Sequence, residues 1–280
     1  MIPSLSLGYS PCPNDTYIFY ALTHNRLALK GLELASPLLE DVETLNSWAI
    51  NKKLDITKLS FHALGHVLDE YCVLSAGSAL GRGCGPLLVA KPGFDPAGLK
   101  KAKIAIPGRL TTASLLFRMY APTATSLLEL RFDTIMDAVI NDDVDVGVII
   151  HESRFTYAEQ GVVCLQDLGQ WWEETSGYPI PLGCIAARRS LGKERIELID
   201  QAIHDSIVWA DEHPNECLPY IQQYAQEMDK EVMQSHIGLY VNDYSKDLGL
   251  EGIAAIESFL RLGREAGILP DSSKQLRLQI

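Results

Sequence analysis

Short apolar runs alternating with helix-like stretches constrain this chain more than any other feature of its sequence. The runs are Leu5 to Tyr9, Leu32 to Leu39, Leu54 to Leu59, Pro86 to Ala90, Ile104 to Ile106, Leu127 to Arg131, Val144 to Ile150, Val162 to Leu165 and Pro181 to Ala187. Each has strand length, and their alternation with helices predicts parallel α/β sheets. Asp41 stands as the N-cap of a helix carrying Val42, Leu45 and Ala49 at helical spacing, and Thr112 to Tyr120 reads the same way.

Beyond Leu191 the pattern turns helical. Ile196, Ile199, Ile203 and Ile207 form one stripe, and Ile253, Ile256 and Leu260 form another that stops near Gly267. Trp171-Trp172-Glu173-Glu174 reads as a lobe-packing helix start. A length of 280 residues exceeds what one small core usually organises, so two lobes are expected. Turn residues cluster at Lys91 to Pro96 and again at Gly177 to Pro181. They predict a larger lobe made of 1–93 and 184–280, with a smaller α/β lobe, 94–183, inserted between.

With 24 Lys plus Arg against 36 Asp plus Glu, the formal net charge of −12 repels a phosphate backbone, and nucleic acid is excluded as a natural partner. Charges and prolines interrupt every apolar stretch before it reaches the roughly 20 residues of a spanning helix, so no membrane role is expected. Met1 to Tyr9 lacks the layout of a secretory signal, which predicts a cytoplasmic protein. The six cysteines are scattered without a C-x-x-C pair, as suits reduced thiols rather than zinc or disulfides.

In open α/β sheets ligands bind beyond the carboxyl ends of strands, so polar residues just after strands are the candidates. Ser10-Pro11-Cys12-Pro13-Asn14-Asp15-Thr16 is a proline-stiffened loop that offers Ser10 and Asn14 to a site wall, with Asp15 as a helix cap. Lys58-Leu59-Ser60 ends a strand, where Ser60 can cap the next helix or donate to a ligand. His62 and His66 follow at i, i+4 spacing, but no third ligand accompanies them, so no metal site is predicted.

Pro107-Gly108-Arg109-Leu110-Thr111-Thr112-Ala113 is a glycine turn opening a helix, a good cradle for a carboxylate or phosphate. It lacks the spacing of a nucleotide loop. Gly81-Arg82-Gly83-Cys84-Gly85 precedes a strand rather than a helix, against a dinucleotide fingerprint. His151, directly after the strand ending at Ile150, is placed as a general base and is followed by Glu152-Ser153-Arg154. The other histidines, His24, His204, His213 and His236, have no converging partners in the sequence and read as structural.

Several of these stretches, read in order, resemble the 1,4-dihydroxy-6-naphthoate synthases of the futalosine route to menaquinone. They are Ser10 to Thr16, Leu39-Glu40-Asp41-Val42-Glu43-Thr44-Leu45-Asn46, Thr57 to Ser60, Ala79-Leu80-Gly81-Arg82-Gly83 and His151-Glu152-Ser153-Arg154-Phe155-Thr156-Tyr157. The likeness runs from about Leu5 to about Ala187 and is specific, since distinct motifs recur in the right order. It implies a type II periplasmic-binding-protein-like fold with a ligand cleft between two lobes. The implied activity is a carbon-carbon lyase that converts cyclic dehypoxanthinylfutalosine to 1,4-dihydroxy-6-naphthoate and dihydroxyacetone without a cofactor.

The resemblance further implies His151 as the base and Asn46, Lys58, Leu59, Ser60, Thr112 and Ala113 as substrate-binding residues. Ser10, Asn14, Arg109 and Arg154 complete the expected wall, and Lys58, Arg109 or Arg154 is available to offset the charge of a small-molecule carboxylate substrate. Two other readings share the fold: a cytosolic small-acid binding protein or sensor, and the related chorismate dehydratase of the same pathway. The sequence sets no oligomeric state.

Overall fold

Strand β1 (Leu7–Tyr9) leads through the proline loop into α1 (Pro13–Thr23), where Pro13 takes the first helical position and its missing N–H costs nothing. There follow β2 (Leu38–Leu39), α2 (Val42–Ile50), β3 (Ile56–Ser60), α3 (Phe61–Val67), β4 (Tyr71–Val73) and β5 (Ala79–Gly81). The chain then builds β6 (Leu87–Ala90), β7 (Ile104–Ile106), α4 (Thr112–Tyr120), β8 (Leu127–Glu129), α5 (Ile135–Ile140), β9 (Val146–Ile149), α6 (Ser153–Thr156), β10 (Val163–Asp167) and α7 (Leu168–Ser176). Strand β11 (Ile180–Arg188) precedes five helices: α8 (Lys193–Glu212), α9 (Pro214–Tyr224), α10 (Lys230–Tyr240), α11 (Asp243–Lys246) and α12 (Gly249–Glu265). These elements come from a computed structural model that describes residues 4–29, 31–225 and 229–278.

Among the described residues, one sheet has the order β2-β1-β3-β11-β4, with β5 also on β11, and a second has the order β10-β6-β9-β7-β8. Both are mixed rather than parallel. The end of β3 pairs with the start of β11, Ser60 against Gly183, because a chain returning from the far lobe enters the sheet where β3 leaves it and must run the opposite way. In the second sheet β6 runs against both β9 and β10. The run from Leu32 to Leu39 contributes only a bridge at Leu34 and the two residues of β2.

The crossing between lobes also lies earlier than the turn at Lys91 to Pro96 predicts. Strand β6 already belongs to the second sheet, so the chain crosses between Gly81 and Leu87, and the later turn only links β6 to β7. On the return, β11 pairs with β5 from Ile180 onward, which assigns Ile180 to Gly183 to the first sheet. The glycine-rich stretch before β6 thus serves the crossing. A Cβ on Gly85 would stand 2.3 Å from the Cα of Gly169, a backbone approach that only glycine permits.

One buried cluster runs through both lobes. It unites Leu59, Phe61 and Tyr71 with Ile104, Phe117 and Val148, and Phe259 and Leu260 of α12 join it. The stripe Ile196, Ile199, Ile203 and Ile207 of α8 covers the other face of the first sheet, each such side chain contributing about 1.5–3 kcal/mol on burial. Trp172 packs against Phe259 of α12, with ring centroids 5.2 Å apart and the planes close to perpendicular. Among the described residues, no helix is long and apolar enough to cross a membrane.

Candidate functional site

Between the lobes lies a cavity that is partly open to solvent and lined by residues of both sheets and of α10. The carboxyl end of β3 supplies Lys58 and Ser60, the loop after β1 supplies Ser10, the first turn of α1 supplies Asn14 and Asp15, and the loop after β9 supplies His151. Thr112 and Ala113 arrive at the start of α4, and His236 and Tyr240 arrive on α10.

The first-lobe wall is organised around a buried carboxylate. Asp15 is fully buried, is ion-paired with Lys58, and accepts hydrogen bonds from the Ser10 hydroxyl at 2.7 Å and Nδ2 of Asn14 at 2.8 Å. It does not cap α1, whose N-cap is Cys12, because those contacts draw its side chain into the wall instead. Ser60 stands at the N-cap position of α3 but its hydroxyl caps nothing. It accepts Nδ2 of Asn46 at 3.1 Å, while its backbone N–H donates to Oδ1 of Asn46 at 2.9 Å. The hydroxyl proton of Ser60 is left for a ligand. Asn46 therefore acts from behind Ser60, and Leu59 is buried in the core with its side chain away from the cavity.

The start of α4 is tied to the first lobe at successive residues. The backbone N–H of Leu110 donates to the Glu43 carboxylate, the Thr111 carbonyl accepts Nδ1–H of His62 at 3.0 Å, and the Thr112 hydroxyl donates to the Leu182 carbonyl at 2.6 Å. Thr112 Oγ1 also accepts the Phe61 N–H at 3.1 Å, so this hydroxyl is a tie between lobes and not a free donor. Thr111 caps the helix through the N–H of Ser114. The amides of Thr112 and Ala113 precede the first intrahelical bond, and both residues line the cavity at the positive end of the helix dipole. Gly108 has φ +134°, and a Cβ there would fall 2.5 Å from the Glu43 carboxyl carbon.

Neither arginine reaches the cavity. Arg109 is exposed and pairs with Glu129 at 3.0 Å, because the tie at Leu110 turns its side chain outward. Arg154 binds the Gly85 carbonyl and Asp167, each at 2.6 Å, and so braces the lobe crossing. Lys58 is the basic side chain on the cavity wall.

His151 sits at φ +58°, a left-handed conformation that costs a non-glycine residue about 1 kcal/mol or more. That backbone places the imidazole between this cavity and a second hollow lined by Cys12, Glu40, Arg131 and Phe132. Its Nδ1 lies 3.6 Å from Sγ of Cys12, and Phe132 meets the ring edge-on at 4.9 Å. Nε2 has no partner among the described residues. Burial lowers the His151 pKa, against the opposing pull of Glu152 and Asp15, so the ring is neutral at pH 7. Burial, then Glu152, pushes the Cys12 thiol well up, which keeps it protonated.

His236 reads as structural in the sequence, yet it lines this cavity, fully buried, with its ring parallel to His151 and 6.1 Å away. Burial, then His151 and Lys58, holds its pKa well below the ordinary value. The available signal was the buried stripe Met233, His236 and Tyr240 on α10. Among the described residues, no cluster of three His, Cys, Asp or Glu is arranged to hold a metal ion. The His62 ring is engaged at Thr111 and stands 5.3 Å from that of His66.

Comparison with known proteins places this chain in a family. Among solved structures, a protein of Archaeoglobus fulgidus superposes with a TM-score of 0.89 at 36% identity, over 95% of this chain and 98% of its own. The alkanesulfonate-binding protein of Xanthomonas axonopodis superposes with a TM-score of 0.73 at 13% identity, over 97% of this chain and 96% of its own. That likeness is one of fold, the two-lobed architecture of periplasmic binding proteins. A 1,4-dihydroxy-6-naphtoate synthase of Thermus thermophilus is 45% identical over 273 residues, 98% of each chain. Since the family model for menaquinone biosynthesis also matches residues 5–265, the chain belongs to the menaquinone biosynthesis family.

Proposed function

We propose that this protein is a 1,4-dihydroxy-6-naphthoate synthase, a carbon-carbon lyase that releases dihydroxyacetone from cyclic dehypoxanthinylfutalosine. One observation carries the reading: His151, with an unpartnered Nε2, faces the same cavity as the free amides that open α4. A neutral imidazole at neutral pH is the form a general base requires. In the tautomer that carries the ring proton on Nδ1, against the Cys12 sulfur, Nε2 is free to take a proton next to the substrate carbonyl. Ser60 and the amides of Thr112 and Ala113 meet the negative charge of the substrate, both its carboxylate and the charge that develops during reaction.

Lys58 adds positive potential from the wall while Asp15 holds it in place. Ser10 and Asn14 act by fixing Asp15, and Asn46 acts by aiming Ser60. The partner is a small carboxylate rather than nucleic acid or a membrane, in keeping with a net charge of −12 and a local helix-start field. Six free thiols suit work in the reducing cytoplasm.

The test is to incubate purified protein with cyclic dehypoxanthinylfutalosine, without added metal or nucleotide, and to follow both products by mass spectrometry. Stoichiometric naphthoate and dihydroxyacetone are expected. Tight binding of the substrate without turnover would instead identify a receptor, and turnover of chorismate would identify the dehydratase.

A further inference from the structure

The wall behind His151 contains a chain of side chains whose protons can be assigned in order. Asp15, paired with Lys58, can only accept, so the group of Asn14 that meets it at 2.8 Å is the amide Nδ2. This turns Oδ1 of Asn14 toward Nε2 of His236, 3.0 Å away. Oδ1 can only accept, and Nε2 of His236 therefore carries the ring proton. In the neutral ring Nδ1 is then a bare lone pair.

That lone pair has no hydrogen-bond partner and is buried. The group facing it is Oε1 of Glu152, 3.8 Å away, on a side chain that is itself buried. Two acceptors confront each other without a proton between them. A buried acceptor left without a donor is costly, so an asparagine or glutamine supplying a donor here would make a more stable wall. Glu152 directly follows His151, the residue in the strained backbone conformation.

We propose that His236 is a positioning residue: held in one tautomer by Asn14, it denies Glu152 a hydrogen-bond donor and so leaves the carboxylate charge to the His151 imidazole. The proposal deepens the assignment of His151 as the base and rests on that reading for its catalytic meaning. The charged and titratable groups around His151 are Glu152 on its own loop, Asp15 and Cys12 at the start of α1, Lys58 on β3, Glu40 and Asp41 before α2, Arg131 after β8, and His236 on α10. Those acting on His236 are His151 and Lys58, with Glu152 opposite Nδ1 and the Tyr240 ring 4.6 Å away. Glu152, next to His151 in the chain, favours the His151 cation.

The test is the NMR titration of the His151 ring nitrogens in the whole protein, which needs no turnover. Glu152→Gln removes the charge, and His236→Asn supplies an amide donor that ties the charge down. Each is expected to lower the His151 midpoint by about half to one pH unit, a three- to tenfold loss of proton affinity. His236→Phe, with a ring but no donor, is expected to leave the midpoint within about 0.2 units of wild type. The double variant Glu152→Gln, His236→Asn should shift less than the sum of the two singles, because both act on one charge.

A simple packing role for His236 predicts that the Asn and Phe variants behave alike. Equal shifts in the two, or an unchanged midpoint in Glu152→Gln, would overturn the proposal. If the midpoints move as expected but no variant or wild type converts the cyclic substrate, the wiring stands and the assigned reaction fails. The folded state of each variant is read from the same spectra. Glu152→Gln retains the shape of the wall and keeps the test decisive if a His236 variant fails to fold.

Discussion

The Glu43 carboxylate on α2 accepts the backbone N–H of Leu110 at 3.0 and 3.2 Å through its two oxygens, joining one lobe to the loop that opens α4 in the other. The same carboxylate accepts Nδ2 of Asn46, which holds Ser60. Both halves of the anion cradle are thereby wired to one side chain.

Glu43→Ala is expected to free this loop and misplace the amides of Thr112 and Ala113. A hydrogen bond to a charged group contributes about 1.5–3 kcal/mol, so KM should rise about tenfold or more, with a smaller change in kcat. Glu43→Gln keeps an acceptor for Leu110 and should recover most of the loss. Steady-state kinetics on the three proteins decide the matter, and an unchanged KM in Glu43→Ala would rule out the wiring.

Lys58→Met should destabilise the fold. Asp15 is fully buried, and its remaining partners, Ser10 and Asn14, carry no charge. Removing one member of a buried pair costs about 3–5 kcal/mol because the other charge is stranded. Adding Asp15→Asn to Lys58→Met should restore part of that loss. Denaturant melts measure both differences.

Stability should also fall on the acid side through His62. Burial pushes its pKa down to about 4, against 6.5 in the unfolded chain, so its contribution is complete above about 6.5 and is lost as the pH falls toward 4. At about 1.4 kcal/mol per unit, the loss between pH 7 and pH 5 is on the order of 2 kcal/mol. His62→Gln keeps a donor for the Thr111 carbonyl and cannot titrate. Its unfolding free energy should vary less with pH than that of the wild type, and equal pH dependence would contradict the assignment.

Local physics made much of this legible. Asp41 caps α2 as its position announces, α4 spans Thr112–Tyr120 as its spacing predicts, and the isoleucine stripe of α8 is buried along its length. The strand directions were not legible, because the direction of β11 depends on where the chain returns from the other lobe, a fact no local window holds. The site divided in the same way. Ser10, Asn14, Lys58, Ser60, Thr112, Ala113 and His151 line the cavity, each at the end of a strand or the start of a helix.

Arg109 and Arg154 were placed by charge and proximity in sequence, yet the ties at Leu110 and Gly85 send them elsewhere. His236 stands 222 residues from Asn14 in the chain, and only packing of α10 on α1 brings them together. Its role depends on a contact that periodicity cannot reveal.

The central claim is that His151 is the base of a lyase, and the direct test is turnover of cyclic dehypoxanthinylfutalosine by wild type and His151→Ala under saturating substrate. His151→Ala is expected to bind substrate but to lose kcat by about 10²–10⁴-fold, the usual contribution of a positioned base. Full turnover by His151→Ala would contradict it.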